Sequence, residues 1–251
     1  MDIITTWKNR IFVSVFERSD AILDYKNKEY KKEFLKFKDK TLTKIKVFLD
    51  NKIKSDYKKS VLLTYWLNDY ISYLKQEKTF NPIYVPVYER GSVIQVDLGF
   101  NLGREYGGLH YAIVLNKKDK KQNPVLTVVP ISSIKKNKKW RIHDVNLNDT
   151  IYMAIQLKTQ TMINTIEEQI KNSENLDKST IHKLEQKIQE EKDCLKMAAK
   201  LNKGSFAICN QVTTIDKIRI KNPTKDTSPL YGIKIPEELL NEITNTLQKM
   251  Y

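Results

Sequence analysis

The sequence predicts an α+β chain: a helical N-terminal region, a short linker, and a β domain interrupted by a helical hairpin. Three observations predict it. Glycine and proline are absent from the first 80 residues, where apolar side chains recur at helical spacing. From Gly91 the pattern changes to short β-branched runs. After about residue 154 the helical period returns, and a further β-branched run follows it.

In the N-terminal region, Leu42, Ile45, Leu49 and Ile53 form one stripe, and Leu63, Leu67, Tyr70 and Leu74 another. Lysine crowds the intervening positions, as in YKNKEYKKEFLKFKDK. That is either a solvated helix face or a basic surface for RNA or an acidic protein. In NPIYVPVYERG, Pro82 and Pro86 stop helix and favour extended backbone. The expected domains are therefore 1–85, helical region and linker, and 86–251, the β domain. SVIQVDLGF, YAIVLN and VLTVVPI read as strands, with NKKDKKQNP as an exposed connection between the last two. The insert, about 154–202, carries Ile163, Ile166 and Ile170 on one stripe and Ile181, Leu184, Ile188, Leu195 and Ala198 on another. Ser179 is the expected N-cap of its second helix, and Glu191 breaks that helix's heptad. GSFAICNQV returns to strand, and IPEELLNEITNTLQKMY closes the chain as a helix opened by Pro236.

The formal net charge is +14 over 251 residues, which favours a polyanionic partner, nucleic acid ahead of a membrane surface. No apolar run approaches the ~20 residues a membrane helix needs, and the first 20 residues lack a secretory pattern. A cytoplasmic protein without membrane partners is expected. Cys194 and Cys209 have no metal-ligand spacing and read as free buried thiols. With three scattered histidines, no metal site or cofactor is expected.

RGSVIQVDLGFNLGREYGGLHYAIVLN, then VLTVVPISS, then GSFAICNQVTTIDKIRI stand in an order that resembles the MazF/PemK family of toxin endoribonucleases. The resemblance covers about residues 88–222, around the helical insert. GREYGG matches the family's G-x-E-x-G-G loop, PISS its I-T-S strand end, and QVTTIDKIRI its Q-[IV]-R-T-I-D-K signature. It implies a small SH3-like β-barrel, usually a two-fold homodimer. It also implies metal-independent cleavage of single-stranded, mRNA-like RNA to a cyclic phosphate and a 5′-hydroxyl, and an antitoxin partner of a type II toxin–antitoxin system. A non-catalytic RNA- or protein-binding module on the same scaffold is the alternative.

The family's catalytic arginine position is His110 here, its threonine position is Ser132, and Thr213 stands where an arginine is usual. Histidine gives up a fixed charge and a bidentate fork but gains proton transfer near neutral pH. His110 is thus the candidate acid or base; a strand-end residue or an RNA-stacking group are its other readings. Ser132 is the candidate phosphate-contacting hydroxyl, or a strand-end cap. Arg104 is a candidate replacement for phosphate charge, or a solvated side chain. Gln211 either bonds RNA or braces the glycine loop, and Glu105 is expected to anchor that loop through backbone N–H groups. Lys135, Lys136 and Trp140 in SSIKKNKKWRIH suit RNA phosphates and bases; a solvated loop with Trp140 in the core is the other reading.

Overall fold

The computed structural model describes residues 28–173 and 176–250. Expectations for the first 27 residues lie outside the described residues. The chain divides into two compact units, Met1–Asn68 and Asp69–Tyr251. The division falls inside the second helix, ahead of the proline linker.

The first unit holds α1 (Lys28–Ser55) and most of α2 (Tyr57–Gln76). Between them the chain turns sharply at Asp56, and the Ser60 hydroxyl donates to the Leu49 carbonyl at 3.2 Å. The apolar stripe of α1 is helical as expected but not buried: Leu42 is 56% exposed and Phe37 62%. Its lysines therefore flank an uncovered apolar face rather than the outside of a core.

The second unit is built on antiparallel strands: β1 (Val93–Asp97), β2 (Leu109–Val114), β3 (Val125–Ser133), β4 (Asp144–Asn148), β5 (Ser205–Ile208), β6 (Thr213–Asp216) and β7 (Ile220–Asn222). The strand order is β4-β5-β3-β2-β1-β7, with β6 also on β3. β4 and β7 end the order unpaired with each other, so the sheet is open rather than the closed barrel the resemblance implies. β4, β6 and β7 go beyond the expected strands: β4 and β7 lack a run of β-branched residues, and β6 carries Thr213, Thr214 and Ile215 but is only four residues long.

Alternation along the strands feeds two cores, one on each face. Val93, Tyr111, Ile113, Val129 and Ile131 point to one. Ile94, Val96, Ala112, Val114, Leu126 and Val128 point to the other, joined by Ile215 and Ile220. The first face is covered by the hairpin α3 (Thr150–Asn172) and α4 (Lys178–Ala198) and by α5 (Glu237–Met250). Ile151, Ile155, Cys194, Ala198, Leu240 and Ile243 supply that cover. Both cysteines are free and buried, as expected. The N-cap of α4 is Asp177, not Ser179: its carboxylate accepts from Thr180 N–H at 2.9 Å. Glu191 lies on the inner side of α4, only 1% exposed. No helix among the described residues is long and apolar enough to cross a membrane.

The third sequence block has a structural core of its own. Lys217 lies wholly withdrawn from solvent in an ion pair with Asp119 at 2.7 Å, and its ammonium also donates to the Lys120 carbonyl. Asp216 caps the next turn by accepting from Ile218 N–H at 2.9 Å. Lys217 of TTIDK, paired with Asp119, thus holds the β2–β3 connection to the turn after β6, which Asp216 caps.

Candidate active site

β1 and β2 are joined by the glycine loop, residues 98–108. The loop is closed at its base by backbone bonds from Leu98 N–H to Gly108 C=O (2.9 Å) and Gly108 N–H to Gly99 C=O (2.6 Å). A Cβ on Gly107 would stand 2.6 Å from the Gly99 carbonyl oxygen, so only glycine permits this approach. Asn101 Nδ2 donates to the Tyr106 and Leu98 carbonyls, and Glu105 accepts from Leu102 N–H at 3.3 Å. Glu105 is therefore bonded within the loop, as its position suggested.

β5 and β6 run along β3 as one strand broken by the turn Cys209–Gln211. The break aims Gln211 at the loop. Its Oε1 accepts from Tyr106 N–H at 3.1 Å, and its Nε2 donates to the Arg104 carbonyl at 3.4 Å. Of its two readings, bracing is the one these contacts express. Arg104 itself stands exposed on the loop.

This bracing fixes Tyr106, which the sequence reading passed over. The Tyr106 and His110 rings lie 4.3 Å apart between centroids, tilted by 46°. The Tyr106 hydroxyl donates to the Ile131 carbonyl at 3.3 Å, next to the Ser132 side chain. β2 and β3 pair with Ala112 opposite Pro130, and continuing that register sets His110 opposite Ser132. One aromatic side chain therefore adjoins the two residues proposed for chemistry. Its hydroxyl stays protonated well above neutral pH, because burial raises its pKa more than Ser132 lowers it.

His110 is half-buried. Burial lowers its pKa, and the positive charge of Lys200 lowers it further; hydrogen bonding to the Gly107 and Ile131 backbones opposes both. The ring is neutral at pH 7 and able to accept a proton. Lys200 follows α4 and lies 5.6 Å from the Tyr111 ring centroid, and desolvation pulls its own pKa below the usual lysine value. Sequence spacing gave no sign of it, because the hairpin brings it in from 90 residues away.

Beside the loop, a cleft of about 280 Å³ is lined by Glu105, Tyr106, Gln211, Thr213, Thr214 and Arg219. Arg219 thus places a fixed positive charge in the cleft that Thr213 also lines. A six-residue separation hid that relation in the sequence.

Across β3, Ser132 pairs with Phe206 of β5. Lys138 stands 3.9 Å from the Phe206 ring centroid and is ion-paired to Asp144. Trp140 meets Phe206 edge-on at 5.9 Å and remains 49% exposed. Trp140 is thus one side chain removed from Ser132 and is not in the core. Lys135 and Lys136 are exposed on the same connection. His143 has its Nε2 buried without a hydrogen-bond partner, while His182 is exposed and bonded to Gln186. Among the described residues no group of His, Cys, Asp and Glu has the arrangement of a metal site.

Residues 89–192 match the family model described as PemK-like, MazF-like toxin of type II toxin–antitoxin system. The match begins just before β1 and runs through α3 into α4. A search of curated proteins finds no match.

Proposed function

We propose that this chain, whose residues 89–192 match the PemK-like, MazF-like toxin family model, is an endoribonuclease toxin that cuts single-stranded RNA without a metal. Members of the family are typically endoribonucleases of toxin–antitoxin systems. The observation that carries the reading here is the candidate base His110, packed on Tyr106, standing across the β2–β3 register from the candidate phosphate contact Ser132.

The reaction needs a base on the ribose 2′-OH, a donor to the leaving 5′-oxygen, and positive or hydrogen-bonding groups on the phosphoryl oxygens. Neutral His110 takes the 2′-OH proton, and the 2′-oxygen then attacks the adjacent phosphorus. The Ser132 hydroxyl donates to a phosphoryl oxygen, and the Tyr106 hydroxyl turns its one hydrogen from the Ile131 carbonyl to do the same. Lys200 and Arg219 supply the positive charge that arginine gives elsewhere in the family. The 5′-oxygen leaves with a proton taken from water, His110 later gives the 2′-OH proton to solvent, and the cyclic phosphate remains on the upstream fragment. Lys135, Lys136 and Trp140 lie where flanking nucleotides run, with Arg104 and Gln211 on the other side of the loop. A homodimer and an antitoxin partner belong to the same proposal.

The test is incubation of a long single-stranded RNA in EDTA with mapping of both product ends. Cyclic phosphate and 5′-hydroxyl termini are expected. Binding without cleavage would instead favour the non-catalytic module.

A further inference from the structure

Two stretches singled out in the sequence take no part in the proposed chemistry: the proline linker NPIYVPVYERG and the lysine connection NKKDKKQNP. In the fold they meet. Together with residues 225–231 they line a groove of about 470 Å³, with Tyr84, Val87, Lys121, Lys225, Asp226 and Tyr231 on its walls. Tyr84 is 79% exposed and Tyr231 40%.

We propose that this groove is a second binding site for single-stranded RNA, where bases stack on Tyr84 and Tyr231 and phosphates meet Lys121 and Lys225. The inference rests on the ribonuclease reading for its ligand class. Exposed aromatic faces between cations are what sequence-tolerant single-strand binding uses. The electrostatics favour an anion. Lys117, Lys118, Lys120 and Lys121 are exposed on one connection, and its only acid, Asp119, is buried against Lys217. Glu89, also on the groove wall, is ion-paired with Lys234. Asp226 is the remaining acid there. Lys121 reaches the Ile83 and Val85 carbonyls at 3.4 and 3.5 Å, which holds its ammonium at the groove.

The position is also informative. β1 and β2 pair from Val93–Ile113 to Asp97–Leu109. His110 sits at the second end and the groove beyond the first. Five residues of strand at ~3.4 Å each separate His110 from Leu115, about 17 Å. An RNA reaching both places must span several nucleotides, so the groove acts on long substrates only.

The test uses fluorescein-labelled 2′-O-methyl oligonucleotides of 4 and 14 nucleotides, which lack the attacking hydroxyl and are read by anisotropy whether or not the protein cuts. For the 14-mer, Tyr84→Ala/Tyr231→Ala should weaken binding about tenfold or more, and Tyr84→Phe/Tyr231→Phe should retain it. Lys121→Gln/Lys225→Gln should reduce the slope of log K against log salt by about 1.4, at ~0.7 per single-strand phosphate. The 4-mer should respond to none of these changes. Unchanged 14-mer binding in the alanine variant, or no 14-mer binding by the parent, overturns the proposal. So does poly-L-glutamate binding that depends equally on Tyr84 and Tyr231, which would make the groove a site for acidic protein. Dependence on the tyrosines in a protein that cuts no RNA would sustain the groove and remove the ribonuclease reading.

Discussion

The Tyr106 ring lies against the ring of His110 at 4.3 Å while its hydroxyl reaches Ile131 and Ser132 on the neighbouring strand. The two functions of that side chain are separable. Tyr106→Phe keeps the ring and removes the donor. It should lower kcat about 10²-fold, the low end for loss of one such donor, with little change in KM. Tyr106→Ala should lower kcat further, because His110 also loses its packing. Single-turnover cleavage of one defined RNA separates the two.

The pH dependence follows from the direction of the His110 shift. Its pKa lies below the ordinary value of ~6.5. A base must be unprotonated, so kcat/KM should rise through that lowered pKa and be flat by neutral pH. Lys200 contributes to the lowering. Lys200→Met removes a positive charge, so the rising limb should move to higher pH, and the plateau should fall. A limb that stays in place would mean that Lys200 does not act on the titrating group.

The Asp119–Lys217 pair is a prediction about folding rather than catalysis. Removing one partner of a fully buried pair costs about 3–5 kcal/mol, since the other charge is left without compensation. Asp119 also accepts from Tyr88 N–H at 3.0 Å. Asp119→Ala should therefore lower the urea midpoint sharply. Asp119→Leu/Lys217→Met should recover much of the loss. Equal midpoints for the single variant and the parent would contradict a structural role for the third sequence block.

Glu191 gives a prediction of opposite sign. Burial raises its pKa; the Thr159 hydroxyl and the Lys158 and Lys187 charges oppose that without cancelling it. Its Oε2 and the Tyr111 hydroxyl are buried with no hydrogen-bond partner. A carboxyl whose folded pKa is raised is most stabilising below its unfolded pKa of ~4.3 and loses that contribution as pH rises through the folded value. Glu191→Gln should raise Tm at pH 8, by about 2–4 °C for each kcal/mol recovered, and leave Tm at pH 4 nearly unchanged. Thermal melts at the two pH values check it.

Much of this architecture was readable before any coordinates. The absence of glycine and proline marked the N-terminal helices, β-branched residues marked β1, β2 and β3, GSFAICNQV marked β5, and the three ordered blocks pointed to the family. The reading failed where a residue's role depends on distant chain. Tyr106, between Glu105 and Gly107, carried no signal of its own; its importance comes from its contacts with His110 and the Ile131 carbonyl of β3. Lys200 brings charge to His110 from the end of the hairpin, and Arg219 brings it to the cleft beside the glycine loop from the turn after β6; no spacing rule connects either to the loop. The stripe of α1 was legible as a helix but not as an uncovered one, because periodicity reports a face without reporting what packs on it. The IDK signature was legible as a motif, but not that Lys217 is buried in an ion pair and that Asp216 caps a turn.

The most direct measurement is the single-turnover rate of RNA cleavage by the parent and by His110→Ala, with and without added imidazole. Proton transfer by His110 predicts a loss of about 10²–10⁴-fold, partial recovery with imidazole, and recovery that grows with the fraction of neutral imidazole. His110→Ala cutting at the parental rate would contradict the account at its centre.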